Sequence, residues 1–148
     1  MIYNALELDP GRELIRAARA AGKSLLVRVP HSSGMLEGRY DEDTQFPEND
    51  HRRHRPRAWL VNGLQKVRQL DFLTAGGATI GQAALRYALR APEVVSTLPN
   101  IYEEAQIEEF AGASTVSDVT DAQAVRVEEL FETNYGLPRE QEAGVTQG

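Results

Sequence analysis

The spacing of hydrophobic positions changes several times along the chain, and each change marks a predicted element. Residues 2–6 form a short apolar run, and residues 24–29 form a second, β-rich run that stops at Pro30. A helical period fills the interval between them, with Asp9 as a candidate N-cap and Gly22 as the residue that ends the helix. The pattern therefore predicts strand, helix, strand.

Residues 30–56 show no apolar period and are predicted to form a long loop, the kind of segment that often carries function. Periodic segments then continue in the order helix 57–73, helix 79–90, strand 94–98, helix 102–111 and helix 121–134. Strands separated by helices of this length favour an α/β fold with parallel crossovers.

The composition is that of one ordinary globular domain and narrows the function only by exclusion. The 148 residues contain no cysteine, which excludes a disulfide framework and a thiolate zinc site and makes the cytoplasm the expected location. No basic leader and no apolar run of about 20 residues is present, so neither secretion nor a membrane partner is expected. The net charge of -6 argues against a nucleic-acid partner.

Several short sequence motifs, which follow one another in a fixed order along the chain, are more informative about function than the composition. Residues 29–40 read V-P-H-S-S-G-M-L-E-G-R-Y, residues 3–7 read Y-N-A-L-E, and residues 100–109 read N-I-Y-E-E-A-Q-I-E-E. They resemble, in the same order, segments of the aldo/keto reductase family: S-P-L-x-x-G-x-L-x-G-K-Y after the seventh barrel strand, Y-N-x-x-E at the sixth, and G-x-S-x-x-x-Q-L-x-E-N after the eighth. Residues 82–87 also resemble the family's Q-x-A-L-x-W/Y helix.

The resemblance implies a fold: a partial (β/α)8 TIM barrel with three parallel strands, equivalent to barrel strands 6 to 8, and their helices. This C-terminal part of an aldo/keto reductase barrel is expected over residues 1–136, and residues 137–148 are expected to be a polar, disordered tail. A remnant of three strands would leave sheet edges open. The alternative interpretation is therefore a non-catalytic half-barrel that self-associates, or that binds a partner chain or a nucleotide.

The resemblance also implies a site for a nicotinamide dinucleotide, NADP or NAD, at the loops after the second and third predicted strands, where βα barrels commonly hold phosphate. Gly34 and Gly38 permit close backbone approach, and the Arg39 guanidinium can pair with phosphate oxygens. Gln106 and Glu109 match positions that bind the adenosine end. The predicted cofactor-contacting residues are Arg28, Val29, Pro30, His31, Ser32, Gly34, Leu36, Gly38, Arg39, Asn100, Tyr102, Gln106, Glu109 and Phe110.

Departures from the family pattern leave the choice between NADP and NAD open. Arg28 stands where the family often has an aromatic residue that stacks on nicotinamide, so a guanidinium-plane contact is expected instead. Phe110 replaces an asparagine that bonds to adenine. Residues 98–110 also lack the arginine that many members use to hold the 2′-phosphate. The arginine-rich segment 52–57 is open to two interpretations, a compensating phosphate contact or a solvated surface.

No residue of this chain is predicted to perform proton chemistry. The family's catalytic tyrosine, lysine, aspartate and histidine lie on early barrel strands, before the motif at residues 3–7, so the carbonyl substrate belongs to the intact parent and the chain alone is expected to be inactive. Arginines flank His51 and His54 and would repel a cation, so no metal site is predicted. His31 suits either a cofactor contact or a structural role.

Overall fold

The computed structural model describes residues 1–138, in which helices pack on a small parallel sheet. The strands of this part are β1 (Leu25–Arg28) and β2 (Val94–Leu98). The α-helices are α1 (Gly11–Ala21), α2 (Arg57–Arg68), α3 (Ile80–Ala88), α4 (Glu104–Ala111) and α5 (Asp121–Glu132). Short 3-10 helices span Met35–Glu37, His51–His54, Asp71–Thr74, Gly112–Ser114 and Asn134–Gly136.

The two strands run parallel and are direct neighbours. Val27 pairs with Thr97 and Arg28 pairs with Leu98, while α2 and α3 lie in the connection between the strands. Parallel neighbours place their carboxyl ends at the same edge of the sheet. The loops that follow Arg28 and Leu98 therefore start side by side.

The prediction of three parallel strands is wrong in number, because residues 2–6 do not form a strand. Ile2 makes a single parallel bridge to Arg28. The backbones of Asn4 and Glu7 then bond to each other, with N···O distances of 3.2 and 3.1 Å. This turn carries the chain away from β1 before a ladder can extend. The segment is therefore joined to β1 by the single bridge at Ile2.

The ends of the predicted helices needed two corrections. Asp9 does not cap α1, because its carboxylate accepts charge-assisted hydrogen bonds from the Arg12 guanidinium at 2.7 and 2.9 Å. Gly22 does end α1, in the left-handed region at φ 60°. The helix predicted over 57–73 is interrupted, since α2 ends at Arg68 and a separate 3-10 turn follows.

The core lies between the sheet and the helices that cover it. Val27 and Val94 are buried in one cluster with Tyr3 and Tyr87, whose ring centroids are 5.8 Å apart. Tyr135 closes the same cluster and donates its hydroxyl hydrogen to the carbonyl oxygen of Ala5. The N-terminal segment is therefore fixed by core packing and not by a sheet ladder.

Of the tail predicted over residues 137–148, residues 139–148 lie outside the described residues. Within the described part, none of the helices combines the length and the apolar character needed to cross a bilayer.

Candidate functional site

Two loops meet where β1 and β2 end, and we call the contact between residues 29–40 and residues 99–110 the seam. The Arg39 guanidinium donates to the Glu103 carboxylate at 2.8 Å, and Gln106 Nε2 donates to Glu37 Oε2 at 3.0 Å. Arg39 and Gln106, which the resemblance assigns to the loops after two successive predicted strands, lie at the same end of the sheet. The seam brings together residues that are more than 60 positions apart in sequence.

The first loop of the seam has an unusual backbone. Val29, Ser32 and Ser33 have φ values of 57°, 49° and 57°, and Gly34 and Gly38 have φ values of 90° and 71°. A β-branched residue at positive φ is disfavoured, and such outliers concentrate at ligand-binding and active sites. The loop therefore presents tightly turned backbone directly after β1, as a loop that approaches a phosphate would need.

Asn4, from the Y-N motif at residues 3–7, supports the start of this loop. Its buried side-chain amide donates to the carbonyl oxygen of Val29 at 3.0 Å and to Glu7 Oε2 at 2.7 Å. Ser32 Oγ donates to the same carboxylate at 2.9 Å. The N-terminal turn thus braces the loop, a role that sequence reasoning did not assign to Asn4.

Arg39 is half exposed and already has a counter-ion. Besides Glu103, with which it forms the ion pair, the carboxylates of Glu37 and Glu109 lie close enough to help raise the pKa of Arg39. An anion that bound here would share Arg39 with Glu103. At the surface of the seam, the Arg39 guanidinium therefore lies among three glutamate side chains, those of Glu37, Glu103 and Glu109.

Gln106 is buried, and both the oxygen and the nitrogen of its amide are hydrogen-bonded. Its Oε1 accepts from the backbone N–H groups of Tyr102 at 2.7 Å and Glu103 at 3.1 Å, while its Nε2 donates to Glu37. These bonds satisfy two donors at the start of α4. In this structure Gln106 fixes the beginning of α4 against the first loop.

His31 and Phe110 lie inside the seam. The His31 ring is buried, its Nε2 donates to the carbonyl oxygen of Gly81 at 3.0 Å, and its centroid is 4.5 Å from that of Phe110. Glu109 beside them accepts from Thr79 Oγ1 at 2.6 Å. A Cβ on Gly81 would stand 2.9 Å from Glu109 Oε1 and 3.3 Å from Phe110 Cε1, so both side chains pack directly against this glycine.

Arg52, in the long loop, reaches the seam although its direction could not be predicted. Its guanidinium donates to Tyr40 Oη and bonds to both oxygens of Asp50, and it lies 4.9 Å from the ring centroid of Phe46 and 5.7 Å from that of Tyr102. Bonding to Arg52 lowers the pKa of Asp50 to about 2, and burial raises the pKa of Tyr40 to about 12. Arg52 is therefore a fixed cation beside the first loop.

The other arginines of the segment make their contacts elsewhere. Arg53 pairs with Glu48 at 3.0 Å, Arg55 lies 4.8 Å from the Trp59 ring, and Arg57 donates to the carbonyl oxygen of Thr44 at 3.1 Å. They line an open cavity of about 420 Å³. Only Arg52 of these four side chains joins the seam through a contact in the described part.

The remaining predicted site residues divide by exposure. Pro30 and Leu36 are buried, and Leu36 belongs to the main core cluster. Arg28 and Asn100 are exposed at the strand ends, and Tyr102 is 62% exposed. The fourteen predicted residues lie at the end of β1 or in the segments that follow β1 and β2. Their contact with a cofactor stays a prediction.

Comparisons with known proteins agree on one family. The sequence model of the Aldo/keto reductase family matches residues 1–132. The chain is 30% identical over 123 residues to the NADP(+) aldo-keto reductase yakc of Schizosaccharomyces pombe, and 30% identical over 129 residues to the aldo-keto reductase str7 of Strobilurus tenacellus. The alignments cover 78% and 84% of this chain but 36% and 38% of the relatives, so the chain spans little more than a third of their length.

Solved structures share the fold. The glycerol dehydrogenase AKR11B4 from Gluconobacter oxydans superposes with a TM-score of 0.77 at 18% identity, over 99% of this chain and 44% of that one. The aldo-keto reductase AKR11C1 from Bacillus halodurans, in its apo form, superposes with a TM-score of 0.62 at 20% identity, over 88% of this chain and 41% of that one.

Proposed function

Because the chain belongs to the aldo/keto reductase family, we propose that it forms the cofactor-binding C-terminal part of an oxidoreductase that transfers hydride between NAD(P)H and a carbonyl. In this proposal β1 and β2 take the places of barrel strands 7 and 8, and the N-terminal segment lies at the place of strand 6. The shared fold over 44% of a glycerol dehydrogenase chain supports this arrangement.

The seam is the single observation that carries the proposal. Gly34 and Gly38 give the first loop its tight turn at two positive-φ positions, and Arg39 and Arg52 supply two cations beside it. Backbone N–H groups in a tight turn and guanidinium groups are the partners that a pyrophosphate prefers. These residues would hold the pyrophosphate of the dinucleotide, and the bound dinucleotide would supply the hydride.

The name of one relative supports NADP as the cofactor, whereas the charge at the start of α4 argues against it. The yakc relative carries NADP(+) in its name. In this chain, however, Glu103 and Glu104 stand where α4 begins, and Arg39 is already paired with Glu103, which disfavours an added 2′-phosphate. We therefore propose a nicotinamide dinucleotide as the ligand and include both forms in the test.

The chain alone is proposed to be catalytically inactive. The fourteen predicted site residues are assigned to cofactor contacts, and the resemblance puts the general acid, a role that often contributes roughly 10² to 10⁴ in rate, on early barrel strands. Among tyrosines near the seam, Tyr40 has its hydroxyl bonded to the carbonyl oxygen of Ser33 at 2.9 Å and contacts Arg52. A reaction would thus need residues from the part of the parent barrel that this chain does not span.

A fluorescence titration with NADPH and NADH tests the proposal, with Arg39→Ala as the variant and Arg19→Ala as its matched control. Arg19 forms a comparable surface ion pair with Glu93, at 2.7 Å, but at the opposite end of the strands. We expect weak saturable binding that Arg39→Ala reduces by about tenfold, as the loss of one charge-assisted contact implies, and that Arg19→Ala leaves unchanged.

Turnover is measured on the same preparations with a panel of aldehydes. We expect no oxidation of NADPH above the rate without protein. Clear turnover by the isolated chain would contradict the proposal that catalysis needs the rest of the barrel, and equal effects of the two arginine variants would place the phosphate site elsewhere.

A second candidate function, an interaction module, is favoured by the open face of the sheet. Leu26 and Leu98 lie on one face and are 52% and 54% exposed. Parallel sheets are normally covered on both faces. We propose that this face is where another chain, a second copy in the first instance, would pack.

A further inference from the structure

A buried carboxyl and a buried imidazole face each other inside the seam. The side chains of Glu37 and His31 are 7% and 4% exposed, and Glu37 Oε1 lies 3.9 Å from His31 Nδ1. Because His31 Nε2 donates to the carbonyl oxygen of Gly81, the hydrogen of a neutral ring is on Nε2. Nδ1 then presents a lone pair toward Glu37, and it has no hydrogen-bond partner within residues 1–138.

An ionised Glu37 would be poorly accommodated in this position. Its Oε1 and His31 Nδ1 would direct lone pairs at each other in a buried site, where an unmatched acceptor is costly. At 3.9 Å the two atoms are not hydrogen-bonded, but a proton on Oε1 replaces two facing acceptors by a donor and an acceptor, which a small movement of the Glu37 side chain would bring into a hydrogen bond. The second oxygen, Oε2, would still accept from Gln106 Nε2, so both ends of the carboxyl would be matched.

We propose that Glu37 is a positioning residue of the seam, which carries a proton toward His31 Nδ1 while it holds Gln106. Gln106 in turn fixes the backbone N–H groups of Tyr102 and Glu103, where α4 begins. The proton thereby stabilises the join between the two loops. It also removes a negative charge from a loop that the proposed function assigns to a pyrophosphate.

Burial acts in the same direction on both partners. It raises the pKa of Glu37 and lowers the pKa of His31, which favours a neutral carboxyl beside a neutral ring. Four further charged or titratable groups face the pair, namely Arg39 and Tyr40 from the first loop, Arg52 from the long loop and Glu109 from α4. The two arginines favour ionised Glu37, while Glu109 opposes its ionisation and favours a protonated His31.

Glu37→Gln tests the inference because glutamine reproduces the protonated state and cannot ionise. Its amide can donate to His31 Nδ1 while its oxygen accepts from Gln106. Since the pKa of Glu37 in the folded chain is raised, the stability that its proton contributes is fully present below the ordinary pKa of 4.5 and is lost as the pH rises through the folded value.

Urea unfolding from pH 4.5 to 8 supplies the measurement. The unfolding equilibrium constant of the wild type, divided by that of Glu37→Gln, should rise by up to about tenfold for each pH unit until the folded pKa of Glu37 is reached. Glu129→Gln, at an exposed position on α5 outside the seam, is the control for the substitution itself. A ratio for Glu37→Gln that does not change with pH would overturn the inference.

A second arm links the proton to the proposed function, on which this part rests. NADPH affinity should fall with rising pH in the wild type and stay more nearly constant in Glu37→Gln, because only the wild type develops a buried charge beside the phosphates. A pH-dependent stability ratio without any NADPH binding would support the positioning role and reject the proposed function. NADPH binding with a stability ratio that does not change with pH would support the proposed function and reject the positioning role of Glu37.

Discussion

Gly34 and Gly77 have nearly the same φ but very different surroundings. Their φ values are 90° and 86°, in the region that L side chains rarely adopt. A Cβ on Gly77 would meet no atom within 4 Å, whereas a Cβ on Gly34 would overlap Tyr40 Oη and lie 3.1 Å from Arg52 Nη1. At the scale of single residues, Gly34 therefore serves contact as well as conformation.

This pair separates the two effects. Gly77→Ala should lower the free energy of unfolding by about 1–2 kcal/mol, the cost of the left-handed conformation alone. Gly34→Ala should lower it by about 1–3 kcal/mol more, because Tyr40 and Arg52 must move. Urea denaturation monitored by circular dichroism gives both values. Equal losses in the two variants would mean that Tyr40 and Arg52 are free to move away at no cost.

At the scale of elements, the sequence and the structure agree where a pattern is local. The β-rich run at residues 94–98 predicts β2, although as a buried strand, whereas Val95 and Leu98 are exposed; Thr79 with Gln82 predicts a capping box that starts α3. The motif at residues 29–40 predicts a glycine-dependent turn after β1, and both glycines have positive φ. Such features depend on neighbours in sequence, so spacing alone can indicate them.

The differences arise where distant contacts decide. Ile2 belongs to an apolar run that looks like a strand, yet the turn between Asn4 and Glu7 ends its pairing. Arg39 was predicted from its spacing, but its ion pair with Glu103 depends on the approach of β2 to β1. Arg52 lies in a loop without periodicity, so no pattern could indicate that it would reach the first loop.

At the scale of the whole molecule, the open face of the sheet makes a prediction about association. Leu26 lies on that face and is 52% exposed, and Leu14 on α1 is 41% exposed and serves as a matched control. If another copy packs on the sheet, light scattering after size exclusion should show a dimer population that grows with concentration. Leu26→Glu should reduce it and Leu14→Glu should not. A monomer at all concentrations would contradict the proposal that the chain is an interaction module.

The central claim is that the loops after β1 and β2 form one nucleotide-binding seam, and amide chemical-shift mapping during an NADPH titration tests it most directly. We predict that the perturbed backbone amides fall in residues 29–40 and 99–110, with Gly34 and Gly38 among them, and that they follow one saturation curve. Amides at the other end of the strands, near Lys23 and Glu93, should not shift. Saturable shifts confined to that opposite end, or shifts in only one of the two loops, would contradict the account.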